Sequence, residues 1–460
     1  YLVGDLLTGN VAFFLFNLFR FYLFHANSQS ENVWGYVFSC KLIIEQAAVP
    51  LMMCGVFWLS GYYNLPFGKS RLQELQTTAC SVGLNTAIIY MLFLINDGSV
   101  DRSINYELIA VLFGILFICC YIVRITITST TSRYFRKHQW EFRVLIIGSS
   151  ATGRRAAKRL LEGPSRVSYH IFGYVSIPGE SDSCDGEDVY SLENIQELCD
   201  KFSIDHLIIA PQSMDDSKIL NLLYHLYPLN ISIRIAPDTF SILTSSIRLN
   251  DIYGEPFVEI ASPAISEASK NIKRTFDVVV SVLALTVFSP LYLVIAIMVK
   301  MSSPGRIIFS QERIGRKQRP FRIYKFRSMT EDAEKYGPQL SSDKDTRITN
   351  VGKTLRKYRL DELPQFWNVL IGDMSIVGPR PERRHYIEMI MRQAPYYALV
   401  CQVRPGITSW GMVKYGYASN VTQMVERTRY DLIYLSNMSL SLDLKILIYT
   451  VRTVVCGRGI

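Results

Sequence analysis

The chain has 460 residues, of which 49% are hydrophobic, and it carries a formal net charge of +9. Its mean hydropathy of +0.15 is high for a soluble protein and indicates a membrane protein with two or three domains. The nine cysteines show no Cys-x-x-Cys spacing, so neither a disulfide framework nor a cysteine zinc site is expected. Basic residues lie beside apolar segments, which favours lipid and phosphate partners over nucleic acid.

Four apolar stretches begin the chain, and each approaches the ~20 residues that a helix needs to cross a hydrocarbon core. We place them at 3–24, 42–62, 80–95 and 104–123, in a four-helix transmembrane region over 1–125. The loop near position 70 and the segment after position 124 are basic, so the positive-inside rule puts both in the cytoplasm. We interpret this region as an anchor and dimer scaffold without chemistry of its own.

Strands rich in β-branched residues alternate with helices over 140–262, which predicts a parallel sheet in a Rossmann-like domain. Its first turn, Gly148-Ser149-Ser150-Ala151-Thr152-Gly153, lacks the middle glycine of the dinucleotide fingerprint. Arg154 and Arg155 stand where a P-loop has Lys and Ser or Thr. We therefore predict a structural or regulatory role ahead of dinucleotide binding, with a linker over 250–269 leading onward. Strands are expected at 142–148, 169–176, 205–211 and 231–237, and helices at 153–162, 192–202 and 216–227.

An apolar run over 278–299 is long enough to cross a membrane. Ser289 and Pro290 interrupt its middle, where proline removes a helical hydrogen bond. Both ends of the run are basic, so both prefer the same side of the membrane. We therefore predict a re-entrant helix over 276–300 that enters one leaflet and returns. An ordinary kinked span is the alternative.

A later segment, Arg356-Lys357-Tyr358-Arg359-Leu360-Asp361-Glu362-Leu363-Pro364, places two adjacent carboxylates after three cations. Pro364 suits the first turn of a helix, so Asp361 and Glu362 should lie at or just before a helix N-terminus, which favours anions. In isolation such a pair would simply cap a helix. Further along, Arg380 lies between two prolines, which stiffen the backbone that holds its phosphate-binding guanidinium group.

Taken in order, the motifs of residues 270–460 resemble those of the monotopic phosphoglycosyl transferases, the bacterial polyprenyl-phosphate sugar-phosphate transferases. The four apolar stretches and the α/β pattern resemble the large subfamily that starts exopolysaccharide, capsule and O-antigen assembly. The matching motifs are Lys273-Arg274-x-Phe276-Asp277, Pro304-Gly305, Phe309-x-Gln311-x-Arg313-x-Gly315, Tyr324-Lys325-Phe326-Arg327-Ser328-Met329, Leu360-Asp361-Glu362-Leu363-Pro364-Gln365, Gly378-Pro379-Arg380-Pro381 and Arg404-Pro405-Gly406-Ile407-Thr408.

The resemblance implies a membrane α plus α/β fold: four transmembrane helices, a Rossmann-like parallel-sheet domain, and an α/β-containing catalytic domain over 270–460 with a re-entrant helix. It also implies a multi-pass protein of the bacterial inner membrane, with its catalytic domain on the cytoplasmic face, and a homodimer. Apolar residues mixed with Arg and Lys over 386–401 and 442–455 predict amphipathic helices on the cytoplasmic leaflet.

The resemblance further implies two-step phosphoryl transfer. Asp361 would attack the β-phosphorus of a UDP-hexose, with glucose or galactose as the expected sugar, and UMP would leave. Polyprenyl (undecaprenyl) phosphate would then take the phosphosugar from Asp361. Mg²⁺ is the expected cofactor and Glu362 its expected ligand, because a carboxylate can attack a phosphate only when their charges are neutralised. Lys325, Arg356 and Arg380 match phosphate-binding positions.

Five weaker site candidates are Arg313, Arg327, Asp373, Arg404 and Trp410. The first three suit structural support better than substrate contact, and Arg404 begins a family turn. Trp410 could stack on uracil or anchor the chain at the membrane interface. The Ser-Trp-Gly-Met sequence around Trp410 differs from the Gly-Trp-Ala-Gln of many family members, so the resemblance does not extend to sugar or base specificity.

Two other functions compete with this interpretation. A membrane-anchored nucleotide-sugar dehydratase would need a complete dinucleotide loop and a Tyr-x-x-x-Lys motif, and the chain has neither. A non-catalytic scaffold of polysaccharide export is disfavoured by the dense phosphate-fitted groups over 325–380.

Overall fold

A computed structural model arranges the chain as a helical region, an α/β region and a mixed third region, in that order. The linker expected over 250–269 lies mostly outside the residues that the structure describes. Those residues are 1–25, 33–64, 67, 71–94, 102–137, 140–162, 168–177, 188–212, 216–229, 231–236, 258–259, 265–330, 333 and 345–457.

Four helices of the first region are long and apolar enough to cross a membrane. Two of them are longer than predicted: the third already starts at Arg71, and the fourth continues to Arg136. Both extensions contain Arg and Thr, and the first also contains Gln and Glu; these residues continue a helix without adding to its apolar pattern. The helices are α1 (Leu2–His25), α2 (Val33–Val37), α3 (Cys40–Leu59), α4 (Arg71–Ile89, followed by a π-helical turn, Tyr90–Leu94) and α5 (Arg102–Arg136).

A buried arginine ties these helices together. Arg124 of α5 pairs with Asp5 of α1 at 2.7 Å, and its Nη1 donates to Thr78 Oγ1 of α4 at 2.9 Å. Its guanidinium carbon also lies 3.9 Å from the ring centroid of Phe57 in α3 and 3.7 Å from that of Tyr62. One side chain of α5 therefore contacts the three other long helices, α1, α3 and α4.

A sheet with strand order β3-β2-β1-β4-β5-β6 forms the α/β region. Its first five strands pair in parallel and β6 is antiparallel, so the predicted parallel-sheet α/β domain is confirmed. The edge strands β3 and β6 were not predicted, because two or three residues are too few to show a period. The elements are β1 (Phe142–Ile147), α6 (Ala151–Glu162), β2 (Tyr169–Ser176), β3 (Val189–Ser191), α7 (Ile195–Phe202), β4 (His206–Ile209), α8 (Asp216–Leu226), β5 (Ser232–Ile235) and β6 (Val258–Glu259).

The glycines of the first turn in this domain allow close packing. A Cβ atom at Gly153 would lie 2.0 Å from the carbonyl oxygen of Gly148. Gly148 itself has a φ of +126°, and a Cβ atom there would lie 2.4 Å from the carbonyl oxygen of Ala210. Both glycines are therefore explained by backbone packing within the domain.

A bent pair of apolar helices begins the third region: α9 (Glu267–Val287) and α10 (Ser289–Ser302), which meet at 63°. Ser289 and Pro290 are the first residues of α10, where the missing N–H of proline costs no helical hydrogen bond. Asp277 of α9 accepts hydrogen bonds from Ser375 Oγ at 2.7 Å and from the Ile376 amide at 3.1 Å. These bonds fix the helix pair to the rest of the region.

Within the described residues, two small sheets and six helices complete the third region. β7 (Ile308–Ile314) pairs antiparallel with β8 (Pro320–Phe326), and β9 (Ser375–Val377) pairs parallel with β10 (Gly406–Thr408). The helices are α11 (Asn350–Lys357), α12 (Gln365–Ile371), α13 (Arg384–Gln393), α14 (Trp410–Lys414), α15 (Val421–Ser436) and α16 (Leu440–Val455), with 3-10 turns at Leu360–Glu362 and Pro395–Gln402.

The segment 386–401 faces the α/β domain instead of a membrane. Ile387 and Ile390 are fully buried in one hydrophobic cluster with Leu222 and Leu223 of α8. The expectation that this segment lies on the leaflet is therefore wrong for its apolar face, which joins the two regions. In α16, by contrast, several large apolar side chains are exposed, namely Leu444, Ile448, Val451 and Val455.

The start of α9 also contacts the helical region. Asn271 Nδ2 donates to the carbonyl oxygen of Trp58 at 2.6 Å, and Asn64 Nδ2 donates to Glu267 Oε2 at 2.8 Å. Gly61 lies at this junction with a φ of +76°, and a Cβ atom there would approach Glu267 to 2.7 Å. The bent helix pair is thus joined to the end of α3.

Candidate active site

Two adjacent carboxylates occupy the 3-10 turn Leu360–Glu362, between α11 and α12. Asp361 and Glu362 are 7% and 8% exposed. Arg359, just before the turn, has a φ of +52°, in the left-handed region that reverses the chain. Pro364 is the N-cap of α12 and not its first helical residue. The pair therefore lies just before a helix N-terminus, as the sequence predicts.

Glu362 lies among three cations. Its Oε1 is 2.9 Å from Lys325 Nζ and 3.7 Å from Arg380 Nη1, and its Oε2 is 3.7 Å from Arg359 Nη1. Burial acts to raise the pKa of this carboxyl, but the charges of Lys325, Arg359 and Arg380 outweigh burial and hold the pKa well below its usual range. Glu362 is therefore ionised, and it holds the three cations in place.

Asp361 differs from its neighbour because it makes no hydrogen bond or ion pair with any residue in the described part of the chain. Its carboxyl lines a cavity. Burial raises the pKa of Asp361 and the charge of Glu362 raises it further, while the charges of Lys325 and Arg356 lower it. An unpaired carboxylate at a cavity wall can attack an electrophilic atom or bind a cation.

The cavity has a volume of about 440 Å³ and strongly basic walls. An arginine fork binds phosphate oxygens in pairs, so these walls suit a ligand with several phosphate oxygens. The cationic lining residues are Arg306, Arg313, Lys325, Arg327, Arg347, Arg356, Arg380, Arg383 and Arg427, against the two carboxylates of Asp361 and Glu382.

Arg356 and Arg380 reach this cavity from different elements. Arg356, in the last turn of α11, donates from Nε to Ser328 Oγ at 2.9 Å. Arg380 follows β9; its Nη1 lies 3.0 Å from Met412 Sδ, and its guanidinium carbon is 5.6 Å from the ring centroid of Tyr417. The structure thus brings both arginines, together with Lys325, to the cavity that Asp361 lines.

Comparisons with known proteins agree with a cavity that binds phosphate groups. Residues 268–457 match the family described as bacterial sugar transferase, and residues 59–237 match a family described as CoA-binding domain. Over 324 residues the chain is 33% identical to the UDP-glucose:undecaprenyl-phosphate glucose-1-phosphate transferase of Escherichia coli (strain K12), which covers 69% of each chain. The chain belongs to the bacterial sugar transferase family.

Other relatives match shorter stretches of this sugar transferase. It is 47% identical over 217 residues to the UDP-N-acetylgalactosamine-undecaprenyl-phosphate N-acetylgalactosaminephosphotransferase of Aeromonas hydrophila, covering 47% of this chain and 51% of that one. A UDP-glucose:undecaprenyl-phosphate glucose-1-phosphate transferase of Klebsiella pneumoniae is 38% identical, covering 55% and 54%. The chain thus spans about half the length of these two curated relatives. A solved structure, UDP-D-quinovosamine 4-dehydrogenase from Vibrio fischeri, matches 25% of this chain and 100% of that one with a TM-score of 0.21 and 17% identity, which is too low to show a shared fold.

Two of the five weaker candidates line the cavity of this sugar transferase. Arg313 Nη1 lies 3.6 Å from Glu382 Oε2, and burial lowers the pKa of Arg313. Arg327 Nη2 donates to the carbonyl oxygens of Val299 and Ser303, at 3.2 and 2.5 Å. These contacts hold part of each guanidinium group against the protein.

Asp373, Arg404 and Trp410 are absent from the described residues that line the cavity. Arg404 Nε donates to the carbonyl oxygen of Gly372 at 2.8 Å, in the turn that also contains Asp373. Trp410 begins α14, where Lys414 Nζ lies 5.0 Å from the centroid of its ring.

An ion-pair network that sequence analysis did not identify lies beside Arg380. Glu382 is buried and pairs with Arg427 of α15 at 2.5 Å. One turn further along α15, Asp431 accepts a hydrogen bond from the Gly411 amide at 3.0 Å, and burial raises the pKa of Asp431 to about 6. Glu382 directly follows the Gly-Pro-Arg-Pro motif and could have been noted there. Nothing in the sequence connects it to Arg427.

The Asp361–Glu362 pair fits a magnesium ion, which binds proteins through one or two carboxylates and takes its other oxygens from water and phosphates. Asp361 is unpaired, and the nearest cationic nitrogen to Glu362 Oε2 is that of Arg359 at 3.7 Å. Each residue can therefore supply an oxygen. Among the described residues, no three His, Cys, Asp or Glu side chains form a group that could hold a metal. A substrate phosphate would thus be needed to complete the coordination.

Proposed function

We propose that this sugar transferase moves hexose-1-phosphate from a UDP-hexose to polyprenyl (undecaprenyl) phosphate, with Asp361 as the nucleophile. The observation that carries the proposal is the contrast within the carboxylate pair: Glu362 is neutralised by three cations, while Asp361 is unpaired at the wall of a basic cavity. Relatives named for transfer from UDP-glucose or UDP-N-acetylgalactosamine to undecaprenyl phosphate support the substrate classes.

In the first step a carboxylate oxygen of Asp361 forms a bond to the β-phosphorus of the UDP-hexose. The bond from that phosphorus to the oxygen shared with the α-phosphate breaks, and UMP leaves with the electron pair. An anionic nucleophile and an anionic diphosphate repel each other, so nearby cations must neutralise the charge. Lys325, Arg356 and Arg380 are placed to do this.

In the second step an oxygen of the polyprenyl phosphate attacks the same phosphorus. The bond to Asp361 breaks, and the carboxylate departs as the leaving group. The product is a polyprenyl diphosphate hexose, and Asp361 returns to its starting form. Mg²⁺, held through Glu362 and Asp361, would supply further neutralisation of the phosphate oxygens.

The proposed sugar is a hexose, with glucose or galactose favoured by the family resemblance. The 47% identical relative is named for N-acetylgalactosamine, so an N-acetylated hexose belongs in the same assay. The proposed product would start exopolysaccharide, capsule or O-antigen assembly.

We further propose that α1, α3, α4 and α5 cross the bacterial inner membrane and that the cavity faces the cytoplasm. The bend between α9 and α10, together with the basic residues at both ends of the pair, supports a re-entrant hairpin in one leaflet. A homodimer through the helical region and the α/β domain rests on the family resemblance.

Asp361→Asn tests the nucleophile in an assay for exchange of labelled UMP into UDP-sugar. The variant removes the attacking oxyanion without changing the size of the side chain, so we expect exchange to be abolished. Asp373→Asn is the matched control, since Asp373 follows α12 and is not among the cavity-lining residues; it should retain exchange. Exchange by Asp361→Asn at the wild-type rate would rule out Asp361 as nucleophile.

The same assay separates the proposal from its competitors. A nucleotide-sugar dehydratase would alter the sugar without releasing UMP, and a scaffold protein would do neither. Release of UMP that depends on both UDP-sugar and polyprenyl phosphate would exclude both.

A further inference from the structure

We propose that Arg327 forms a second phosphate subsite in the cavity, which receives the phosphate of the polyprenyl phosphate acceptor. The inference rests on the proposed function and adds to it a separate place for the second substrate. Lys325, Arg356 and Arg380 would then serve the diphosphate of the first substrate, and Arg327 the lipid phosphate.

Arg327 has hydrogen-bond donors that the protein leaves unused. The side chain is 7% exposed and lines the cavity, and its Nη2 is held by the carbonyl oxygens of Val299 and Ser303. Its Nε and Nη1 are buried and have no hydrogen-bond partner in the described part of the chain. The hydroxyl of Ser303 beside it is also buried and unpartnered. Such donors are costly to bury unless an acceptor reaches them, and a phosphate oxygen is the acceptor that best suits a guanidinium group.

The position of Arg327 on the chain separates it from the carboxylate pair. Lys325 is the next-to-last residue of β8, whereas Arg327 lies just after the strand, and its guanidinium group is held by the carbonyl oxygens of Val299 and Ser303. Lys325 is bound to Glu362 at 2.9 Å. A phosphate on Arg327 would therefore lie beside the phosphate that reacts with Asp361 and would not replace it.

Neighbouring side chains add positive charge at this subsite. The Arg327 amide donates to the carbonyl oxygen of Ile307 at 2.9 Å, and Arg306 directly precedes Ile307 in the chain. Ser328, the next residue, receives the hydrogen bond from Arg356. Arg306, Arg327 and Arg356 all line the cavity, so a second anion would meet several cations there.

The apolar surroundings of Arg327 indicate a lipid as the source of the phosphate. Val299 and Ser303, which hold its guanidinium group, lie at the end of α10, the second helix of the bent apolar pair. Ile308 and Phe309 line the same cavity, yet they are 39% and 41% exposed. A polyprenyl chain could follow these side chains away from the cavity, whereas the uridine and sugar of the first substrate have no comparable need for apolar contact.

Steady-state kinetics can separate the two substrates. In a two-step mechanism with a covalent intermediate, kcat/KM for each substrate reports on its own step. For Arg327→Lys and Arg327→Met we expect kcat/KM for polyprenyl phosphate to fall by about ten- to a hundredfold, as for a lost hydrogen bond to a charged group. UMP exchange, which needs no acceptor, should remain within about twofold of wild type. That result would also show that both variants are folded.

Arg322→Met is the matched control, because Arg322 lies in β8, five residues before Arg327, is exposed, and is not among the cavity-lining residues described. It should leave both half-reactions unchanged. Equal losses of exchange and transfer in the Arg327 variants would overturn the proposal, because the residue would then serve the first step or the fold. Unchanged transfer would overturn it as well.

A binding measurement keeps this inference separate from the proposed function. The thermal stability of the full-length protein in detergent is measured with a short-chain polyprenyl phosphate, with the corresponding polyprenol, and with inorganic phosphate. We expect the polyprenyl phosphate to raise the Tm of wild type but not of Arg327→Met, and the other two compounds to have little effect. If wild type bound the polyprenyl phosphate but showed no UMP exchange, the subsite would stand and the proposed reaction would fail. Equal stabilisation of wild type and Arg327→Met would overturn the subsite.

Discussion

Two carboxylates next to each other in sequence have opposite electrostatic environments. The pKa of Glu362 is held low by Lys325, Arg359 and Arg380, so this residue remains an anion. The pKa of Asp361 is raised by burial, and its oxygens have no partner within the described residues. Environments that push two pKa values apart are typical of sites that assign different roles to similar groups. Here they suggest one carboxylate that organises charge and one that reacts.

The raised pKa of Asp361 predicts the acid limb of the pH profile. A protonated carboxyl is a poor nucleophile, so UMP exchange should fall as the pH decreases through a pKa above the ~3.9 of an ordinary aspartate. The measurement is the exchange rate between pH 4 and 8. Asp431, whose pKa is about 6, is the control, and Asp431→Asn should keep the same limb. If the acid limb disappeared in Asp431→Asn, the titration would belong to Asp431 and the prediction for Asp361 would be wrong.

Glu362→Gln tests the metal. The amide keeps the size of the side chain but loses the charge that holds Lys325 at 2.9 Å and that is proposed to bind Mg²⁺. We expect the Mg²⁺ concentration for half-maximal UMP exchange to rise about tenfold or more, as for a lost charged contact of ~1.5 kcal/mol. An Mg²⁺ titration identical to wild type would remove Glu362 from the metal site.

At the residue scale, sequence motifs predicted which residues lie near one another better than they predicted the contacts that these residues make. Asp361, Glu362, Lys325, Arg356 and Arg380 each lie in a short motif, and the structure brings them together. The Glu382–Arg427 ion pair was not predicted, because the two residues come from elements far apart in sequence. Such a pair depends on tertiary packing, which local patterns do not encode.

At the scale of elements, a close contact between α11 and the segment just after β8 sets the position of Arg356. A Cβ atom at Gly352 in α11 would lie 2.0 Å from the carbonyl oxygen of Ser328. Ser328 is also the residue that receives the hydrogen bond from Arg356. The helix can therefore approach the strand end only because position 352 lacks a side chain.

Gly352→Ala should push α11 away from Ser328 and displace Arg356. Overpacking of this kind costs about 1–3 kcal/mol, so we expect a lower Tm and a loss of UMP exchange. The control is Gly35→Ala, which should have little effect because no atom lies within 4 Å of the added methyl group. Gly416→Ala is unsuitable as a control, because the φ of Gly416 is +96° and any side chain there is strained. Wild-type stability and exchange in Gly352→Ala would show that the backbone can yield here.

The bent pair α9–α10 makes a prediction about topology. In a variant without native cysteines, a cysteine replacing the exposed Ser302 at the end of α10 should react with a membrane-impermeant thiol reagent only from the cytoplasmic side. Tyr106→Cys is the control. Tyr106 lies near the N-terminal end of α5, opposite the end that is proposed to be cytoplasmic, so this cysteine should react only from the outer side of the membrane. Reaction of the Ser302→Cys protein from outside would mean that the pair crosses the membrane.

The types of the secondary-structure elements were predictable where the periodic pattern of apolar residues was long enough to recognise. The parallel strands of the α/β domain and the break at Ser289–Pro290 follow from local pattern and from proline chemistry. The location of 386–401 was not predictable in this way, because an amphipathic helix buries its apolar face against a membrane or a protein with the same sequence pattern. Only the packing against α8 distinguishes the two.

At the scale of the whole molecule, the junction at Gly61 joins the helical region to α9. Gly61→Ala should strain the backbone at a φ of +76° and move α9, which Asp277 connects to β9. We expect a lower Tm and reduced transfer to polyprenyl phosphate. Gly55→Ala in α3 is the matched control, since nothing lies within 4 Å of its added methyl group. Equal behaviour of the two variants would mean that this junction does not support the site.

Arg124 contacts helices that leave the ribosome at very different times. Its partner Asp5 lies 119 residues earlier in the chain, which at about 5–20 residues per second corresponds to roughly 6–24 s of translation. Until Arg124 has been made, the carboxylate of Asp5 lacks the guanidinium group that neutralises it in the folded bundle. The first helix therefore acquires its buried counter-ion only when the last one has been synthesised.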